Sequence, residues 1–288
     1  MPLTLRWLRL SKLPFNEVAF ATSTDFDRLN DRKLITLEFI MAKEWFENEN
    51  FWQDYAPVMF DEVRWAEAPG VAKAVCGFAG LSRGAKILDA GCGPGRISVE
   101  LALLGMNVTG VDIIQSELDA ASETAKDEGV SIEFKNADLR TFCEKEKYDM
   151  AVNLYTSFGY CDTEEEDTKI LENIFSSIKK GGTFVLETTS RETAIINFTS
   201  GEEFYRGGIK VITDFSVKGA WEGLDSKWTL ILPDGKKIVH DFVQRLYSAA
   251  ELKKKLLQMG YTSAEVYGGY DKRPYDQNAV TMVIVAKK

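Results

Sequence analysis

The sequence predicts an α/β fold: a doubly wound, seven-stranded sheet with an inserted antiparallel β layer after strand 5 and a helical N-terminal arm. Within residues 85–189, short apolar runs alternate with segments of helical periodicity, the order of β-α-β units on a parallel sheet. The alternation stops in the β-rich stretch 190–247 and resumes over 248–288. Before it, the aromatic-rich segment 31–84 suggests helices that pack on or over the main domain.

The strands of the main sheet are predicted where apolar runs lie between turn or helix signals. In chain order they are 86–90, 107–112, 131–135, 148–154, 183–188, 261–267 and 279–286. Within the insertion, the β-rich runs are 209–217, 228–232 and 237–243.

Two helices have explicit start signals. Thr163 and Glu166 form a T-x-x-E capping box, and an apolar stripe then runs to Ile178 before Lys179, Lys180 and Gly181 close the helix. Ser248 and Glu251 form the second box, S-x-x-E. Both helices are therefore expected to cover the sheet.

The amino-acid composition limits which classes of protein this chain can belong to. The chain of 288 residues has 45% hydrophobic and 27% charged residues, which is typical of a globular protein. Its net charge of −9 would repel a polyanion, which argues against a nucleic-acid partner. No apolar run approaches the roughly 18 residues that cross a bilayer, so we expect no membrane partner and a cytoplasmic location. Residues 1–30 are interpreted as a terminal extension.

The cysteines give no sign of a metal site. Cys76, Cys92, Cys143 and Cys161 match neither a close-set zinc pattern nor a disulfide framework. We therefore expect free thiols in a reducing compartment and no bound metal.

The most informative residues form the glycine loop, Asp89-Ala90-Gly91-Cys92-Gly93-Pro94-Gly95, between the first strand and a helix. Its glycines allow a sharp turn and let a ligand lie against the backbone. Asp112 ends the second strand, where an acid can accept hydrogen bonds from ribose hydroxyls. The spacing is G-x-G-x-G, not the dinucleotide pattern G-x-G-x-x-G, and Asp89 would repel a pyrophosphate while favouring a cation. The loop therefore predicts a nucleoside ligand with a cationic end.

This loop, followed by Val111-Asp112, resembles the class I S-adenosylmethionine-dependent methyltransferases in their small-molecule branch. The resemblance covers about 85–187 and implies a Rossmann-like enzyme with S-adenosyl-L-methionine as cofactor. It implies that Asp89 organises the methionine end, that Asp112 holds the ribose, and that Asp138 meets the adenine amino group. The cofactor-binding residues expected on this basis are Asp89, Gly91, Cys92, Gly93, Gly95, Asp112, Ile113, Asp138, Leu139, Asn153, Leu154 and Tyr155.

The acceptor is expected beyond the fourth strand, at the carboxyl edge of the sheet. The segment 153–160 lacks the Asn/Asp-Pro-Pro-Tyr signature and the cysteine nucleophile of enzymes that methylate nucleobases, so the resemblance implies a small-molecule acceptor, an amine or a hydroxyl. Methyl transfer would be an in-line displacement, aided by alignment and by exclusion of water. No catalytic residue is assigned, and the candidates are Tyr155, Tyr160 and His240.

Aromatic residues of the arm and the insertion are candidates for the acceptor pocket, although each also suits an ordinary core position. Insertions at this place resemble acceptor-binding or dimer-forming additions of small-molecule N-methyltransferases, so a homo-oligomer is a further expectation. The pocket candidates are Trp52, Tyr55, Trp65, Phe158, Tyr205, Trp221 and Trp228.

Three other functions are compatible with the sequence. One is an RNA or protein methyltransferase, although the densest basic run is only Lys253-Lys254-Lys255. Another is a non-catalytic S-adenosylmethionine-binding protein, and the last is an NAD-dependent oxidoreductase.

Overall fold

A computed structural model describes residues 44–288. The predicted terminal extension, 1–30, and the first part of the predicted arm, 31–43, lie outside the described residues. The helices in chain order are α1 Glu49–Met59, α2 Glu62–Ala79, α3 Arg96–Leu103, α4 Gln115–Asp127, α5 Glu164–Ser177, α6 Arg191–Ile196 and α7 Ala249–Met259. The strands are β1 Lys86–Ala90, β2 Asn107–Asp112, β3 Glu133–Asn136, β4 Tyr148–Asn153, β5 Ile178–Thr188, β6 Gly201–Arg206, β7 Ile209–Lys218, β8 Gly223–Ile231, β9 Lys237–Arg245, β10 Ser263–Tyr267 and β11 Met282–Lys287.

Two sheets organise the chain. The main sheet has seven strands in the order β10-β11-β5-β4-β1-β2-β3, with parallel pairing from β5 to β3 and antiparallel pairing at β11. The second sheet, sheet B, is antiparallel, has the order β6-β7-β8-β9, and follows β5 in the chain. The predicted α/β class, the seven strands and the inserted antiparallel layer are confirmed. The strand order reverses direction between β1 and β4, which opens a crevice at their carboxyl ends.

The helix starts follow local chemistry. Asp61 caps α2 by accepting the backbone N–H of Arg64 at 3.0 Å. Both predicted capping boxes are present, with Thr163 and Ser248 at the caps of α5 and α7. These reciprocal hydrogen bonds need only residues three apart, so they are readable from sequence.

Some element boundaries differ from the prediction, for example at the junction of α5 and β5. Helix α5 ends at Ser177 and β5 begins at Ile178, whereas the sequence predicts the helix through Lys180. The difference arises because Ile178 pairs with Tyr148 across the sheet, a long-range contact that local periodicity does not report. Strand β6 and the short helix α6 were not predicted, and β6 carries two adjacent glutamates on a largely solvent-facing edge.

The main sheet has an apolar core on each face. Leu88 contributes to one core and its neighbour Ile87 to the other, because side chains alternate along a strand. Helices α5 and α7 cover the first face, whereas α2 and α3 cover the second. A third cluster joins α1 to sheet B through Phe51, Tyr55 and Val211. The arm therefore connects the two sheets: α1 lies on sheet B and α2 on the main sheet. Among residues 44–288, no helix is both long and apolar enough to span a membrane.

Candidate active site

A cavity of about 860 Å³ lies at the carboxyl ends of β1, β2 and β4. Its walls come from three parts of the chain: the loops of the main sheet, the helices α1 and α2, and the inner face of sheet B. Open parallel sheets bind their ligands at this kind of reversal point. The arm and the insertion therefore extend a site that the main sheet begins.

The three glycines of the loop have positive φ, but they serve different purposes. A Cβ on Gly91 would lie 2.9 Å from the Cβ of Ser157, and one on Gly95 would lie 2.7 Å from the Cβ of Ala121. A Cβ on Gly93 would meet nothing closer than 3.9 Å. Gly91 and Gly95 are therefore required by close packing within the protein, whereas Gly93 leaves open space in the cavity where a ligand can approach the backbone.

Asp112 lies beside this open backbone. Its Oδ2 accepts the N–H of Gly93 at 2.8 Å, and its Oδ1 accepts the N–H of Ile114 at 3.0 Å. Burial raises the pKa of the carboxyl, and these backbone hydrogen bonds partly oppose that effect. Each oxygen can accept a further hydrogen bond, so the carboxylate fits a pair of ribose hydroxyls. Ile113 is not in the lining, and its carbonyl accepts a hydrogen bond from Nδ2 of Asn136 at 2.9 Å.

Asp89 places a second acid in the wall of the cavity. Only 3% of the residue is exposed, and its Oδ2 accepts the hydroxyl of Ser98 at 2.6 Å. Burial raises the pKa of Asp89 to about 6, opposed first by that hydrogen bond, and the carboxyl is therefore mostly ionised at neutral pH. A buried negative charge here fits a cationic group of a ligand. Together with Asp112 and Gly93, it fits a cofactor with a nucleoside at one end and an ammonium at the other.

The loop after β4 forms the opposite lip. Asn153 is fully buried and donates from Nδ2 to the carbonyl of Ala90 at 2.7 Å, so it fixes β4 against β1 without lining the cavity. Tyr155 and Thr156 both have positive φ, at +53° and +64°. Glu187 holds this strained backbone by accepting the N–H of Tyr155 at 2.6 Å. Strain concentrated at a cavity wall, and held there by a buried acid, is typical of a functional loop.

Five predicted cofactor residues are outside the cavity lining: Ile113 and Asn153, described above, and also Gly95, Asp138 and Leu139. The carboxylate of Asp138 binds Arg140, with Nε at 2.8 Å, and Arg140 also pairs with Glu44 and Glu47 of the arm. Leu139 packs against the core under α5. Asp138 therefore lies outside the cavity lining with its carboxylate on Arg140, and the adenine contact that the resemblance implies stays a prediction.

The cavity contains only part of the predicted acceptor pocket. Trp52 of α1 and Trp228 of β8 line it, together with Tyr155 and Tyr160. Burial raises the pKa of both tyrosines, so they are neutral hydroxyl groups near pH 7 and act as hydrogen-bonding groups, not as bases.

The remaining aromatic candidates lie elsewhere. Tyr55 is fully buried and donates to the carbonyl of Trp228, and Phe158 packs in the core. Tyr205 is 72% exposed, and Trp221 packs edge-on against Phe198. Trp65 of α2 is outside the lining. The sequence shows where a large aromatic side chain occurs in the chain. Whether that side chain lines the cavity depends on which part of the protein packs against it.

His240 joins sheet B to the arm. Its Nε2 lies 3.0 Å from Oδ2 of Asp54, and its ring lies 5.4 Å from that of Phe51 and 5.3 Å from that of Tyr55. It does not line the cavity. The candidate general base is thus placed in a structural contact.

Several charged or polar residues of the lining were not predicted. They come from helices α2, α3 and α4, from strands β5 and β6, and from the β10–β11 connection: Arg64, Glu67, Arg96, Glu117, Glu187, Arg206, Tyr270 and Thr281. Arg96 directly follows the glycine loop and Glu187 lies at the carboxyl end of β5, so sequence held a signal for both. Tyr270 lies between β10 and β11, where no local pattern marks it.

The described part of the chain has no candidate metal site. Residues 44–288 contain no group of three or more His, Cys, Asp or Glu side chains that could hold a metal ion. All four cysteines in this part are free, and burial raises the pKa of the Cys92 thiol in the cavity wall well above its usual value.

Comparison with known proteins gives a consistent picture. Residues 81–256 match the family model described as "Methyltransferase domain". A protein of Geobacillus sp. (strain WCH70), named as a methyltransferase, is 26% identical over 223 residues, which cover 72% of this chain and 86% of that protein.

Solved structures share the fold at low sequence identity. A S-adenosylmethionine-dependent methyltransferase from Clostridium acetobutylicum aligns with a TM-score of 0.69 at 16% identity, covering 83% of this chain and 97% of that one. CalS10 from Micromonospora echinaspora, an amino pentose methyltransferase bound to S-adenosylmethionine, aligns with a TM-score of 0.61 at 17% identity, covering 82% and 96%.

Proposed function

The chain belongs to the methyltransferase-domain family, and on that premise we propose that it transfers a methyl group from S-adenosyl-L-methionine to a small-molecule acceptor, an amine or a hydroxyl. The observation that carries the proposal is the placement of Gly93, Asp112 and Asp89 along one side of a cavity that continues to an aromatic wall. One side suits a nucleoside with a cationic tail, and the other suits an organic acceptor.

The residues of the chain have distinct roles in this proposal. Asp112 would hold the ribose, the backbone at Gly93 would lie against the cofactor, and Asp89 would face its ammonium end. When bound, S-adenosylmethionine supplies an electrophilic methyl group on a sulfonium. The strained loop at Tyr155 would form the boundary between cofactor and acceptor.

The aromatic wall would orient the acceptor and exclude water. Trp52, Trp228 and Phe242 bring three large rings from α1 and sheet B to the lining. In an in-line displacement that disperses charge, orientation and exclusion of water can both accelerate the reaction. An amine that arrives neutral needs no base, so the placement of His240 outside the lining is compatible with this chemistry.

The same arrangement supports a division of the chain into two functional parts. We propose that 85–189 and 248–288 bind the cofactor, whereas the arm and the insertion, 190–247, bind the acceptor. The free cysteines support a reducing, cytoplasmic location.

The test is a calorimetric titration with S-adenosylmethionine, S-adenosylhomocysteine and NAD, followed by turnover on panels of amines and hydroxyl compounds. We expect both adenosyl compounds to bind and NAD not to bind. Methyl transfer to total RNA or to protein, and not to small molecules, would overturn the acceptor class. Tight cofactor binding without transfer to any of these would favour a non-catalytic binding protein.

A further inference from the structure

A fully buried carboxylate lies outside the cavity lining and has no part in the chemistry proposed above. Asp167, in the first turn of α5, has a side chain with no exposed surface. Its Oδ2 accepts hydrogen bonds from Nε of Arg245 at 3.2 Å and from the hydroxyl of Tyr247 at 2.9 Å, and its Oδ1 accepts the N–H of Cys161 at 3.3 Å. A buried ion pair adds little stability over an apolar pair of similar size, so stability alone is a weak reason for this arrangement.

Arg245 extends this contact along the loop after β4. Its backbone N–H donates to the carbonyl of Gly159 at 2.7 Å, and one of its guanidinium nitrogens donates to the carbonyl of Asp162 at 2.8 Å. A Cβ on Gly159 would lie only 2.7 Å from the carbonyl oxygen of Arg245. Arg245 and Asp167 therefore hold the backbone on both sides of Tyr160.

Tyr160, between these hydrogen-bonded positions, lines the cavity. Its ring centroid lies 4.6 Å from that of Trp45, which in turn lies 5.0 Å from that of Phe242 on sheet B. Burial raises the pKa of the Tyr160 hydroxyl, and the charges of Glu187 and Asp112 raise it further, so this hydroxyl lies within electrostatic range of the cofactor side. Tyr160 is therefore placed between the proposed cofactor side and the aromatic wall.

The ion pair also holds sheet B. Arg245 is the last residue of β9, at the point where the insertion returns to the main domain, and Phe242 lies on the same strand. The pair between Arg245 and Asp167 thus holds both the loop that carries Tyr160 and the end of the strand that carries Phe242. The distance between these two walls decides how an acceptor meets the methyl donor, and a misplacement of about 1 Å at a reacting centre can reduce a rate by about 100-fold.

We propose that Asp167 is a positioning residue: through Arg245 it holds Tyr160 and sheet B at the separation that aligns the acceptor with the methyl donor. The inference rests on the proposed function, since it assigns the acceptor to the space between these walls. Asp167 itself contacts neither cofactor nor acceptor. Its effect therefore appears in the rate of transfer and not in the affinity for the cofactor.

Hydrogen exchange on the full chain, with and without S-adenosylhomocysteine, tests the positioning without an acceptor. Asp167→Asn keeps the size of the side chain, but an amide has one oxygen, so either Arg245 or Cys161 loses its acceptor. We expect the amides of 159–162 to exchange about 10-fold faster than in wild type, while those of β1 and β2 change less than twofold.

Tyr247→Phe is the matched control for this measurement. It keeps the ring and removes one hydrogen bond from the same carboxylate, but that bond does not hold the loop. The amides of 159–162 should therefore exchange at the wild-type rate in Tyr247→Phe.

Turnover tests the consequence for the reaction. On the amine or hydroxyl compound of the panel that wild type methylates fastest, we expect Asp167→Asn to lower kcat by about 10- to 100-fold, with S-adenosylhomocysteine affinity within twofold of wild type. Tyr247→Phe should keep kcat within threefold. In a Tyr160→Ala background, Asp167→Asn should lower kcat much less, because the residue through which it acts is missing, while its effect on stability remains.

Arg245→Met keeps the inference testable if Asp167→Asn does not fold. It removes both guanidinium contacts, whereas Tyr247 and Cys161 still donate to the carboxylate. Exchange at 159–162 should again rise and kcat should fall. Unchanged exchange and kcat in a folded variant, an equal loss of kcat in Tyr247→Phe, or a parallel loss of S-adenosylhomocysteine affinity would overturn the positioning role. A wild-type protein that neither binds S-adenosylhomocysteine nor methylates any compound would instead overturn the proposed function.

Discussion

The backbone N–H of Gly93 donates a hydrogen bond of 2.8 Å to Oδ2 of Asp112, 19 residues further along the chain. The bond joins the loop after β1 to the end of β2, so the residue that presents open backbone and the residue that presents a carboxylate are held together. A ligand that contacts one of them therefore lies within reach of the other.

Asp112→Ala tests the carboxylate. We expect S-adenosylmethionine binding to weaken by about 1.5–3 kcal/mol, because a charged acceptor of ribose hydrogen bonds is lost. Calorimetry gives the affinity, and urea unfolding gives the stability, which should fall less. Asp119→Ala, in the exposed part of α4, is the control. A folded Asp112→Ala protein with unchanged affinity would remove Asp112 from the cofactor site.

Gly93→Val tests the open backbone, with Gly129→Val as its control. Both glycines have positive φ, +51° and +68°, so both substitutions strain the backbone to a similar extent. Gly129 is outside the cavity lining, with no atom near its missing Cβ. We expect only Gly93→Val to abolish cofactor binding in a calorimetric titration. Tight binding by both proteins would contradict the assignment of the loop.

Glu117→Gln tests a buried acid in the lining. Burial, with a smaller contribution from Asp112, raises the pKa of Glu117 from 4.5 to about 7. The folded state therefore holds this proton more tightly than the unfolded state, and stability falls as the pH rises from about 4.5 to about 7. Because glutamine cannot ionise, Glu117→Gln does not lose stability in this way as the pH rises.

We expect Glu117→Gln to be more stable than wild type at pH 8 by about 1–3 kcal/mol, and equally stable near pH 4. Urea unfolding at the two pH values gives the difference, and Glu123→Gln on the exposed face of α4 serves as control. A stability difference that does not depend on pH would show that Glu117 keeps an ordinary pKa.

Trp228→Leu tests the acceptor side. Deleting the whole insertion would expose the apolar face of α1, including Phe51 and Val58, so a single substitution is the sharper test. We expect kcat/KM for the acceptor to fall by about 10- to 100-fold while affinity for S-adenosylhomocysteine changes less than twofold. Tyr205→Leu, also on sheet B but 72% exposed, should retain turnover. Equal turnover in the two variants would move the acceptor away from sheet B.

His240→Ala tests whether the histidine has a catalytic role. The structure predicts a loss of about 1–2 kcal/mol in stability, because the hydrogen bond to Asp54 and the ring contacts are lost, with turnover within threefold of wild type. Asp54→Asn should lower stability in the same direction and leave the imidazole intact. A well-folded His240→Ala protein that has lost turnover on hydroxyl acceptors would restore His240 as a base.

Local pattern was enough to predict the α/β class, the inserted antiparallel layer, both capping boxes and the glycine loop. Each depends on residues close together in the chain: alternation within a strand, a cap and its partner three residues on, or glycines at a turn. The boundary at Ile178 was missed because a partner in β4, far away in sequence, extends β5.

Tertiary structure decided which side chains line the cavity. Trp228 and Tyr205 lie on the same sheet and are both large aromatic residues, but only Trp228 faces α1 and the cavity. Arg96 is adjacent to the glycine loop in sequence, but its place in the cavity wall over the ring of Tyr155 depends on how α3 and the loop after β4 meet. The physical reason is that burial and pairing are properties of the surfaces in contact, and elements far apart in the chain supply those surfaces.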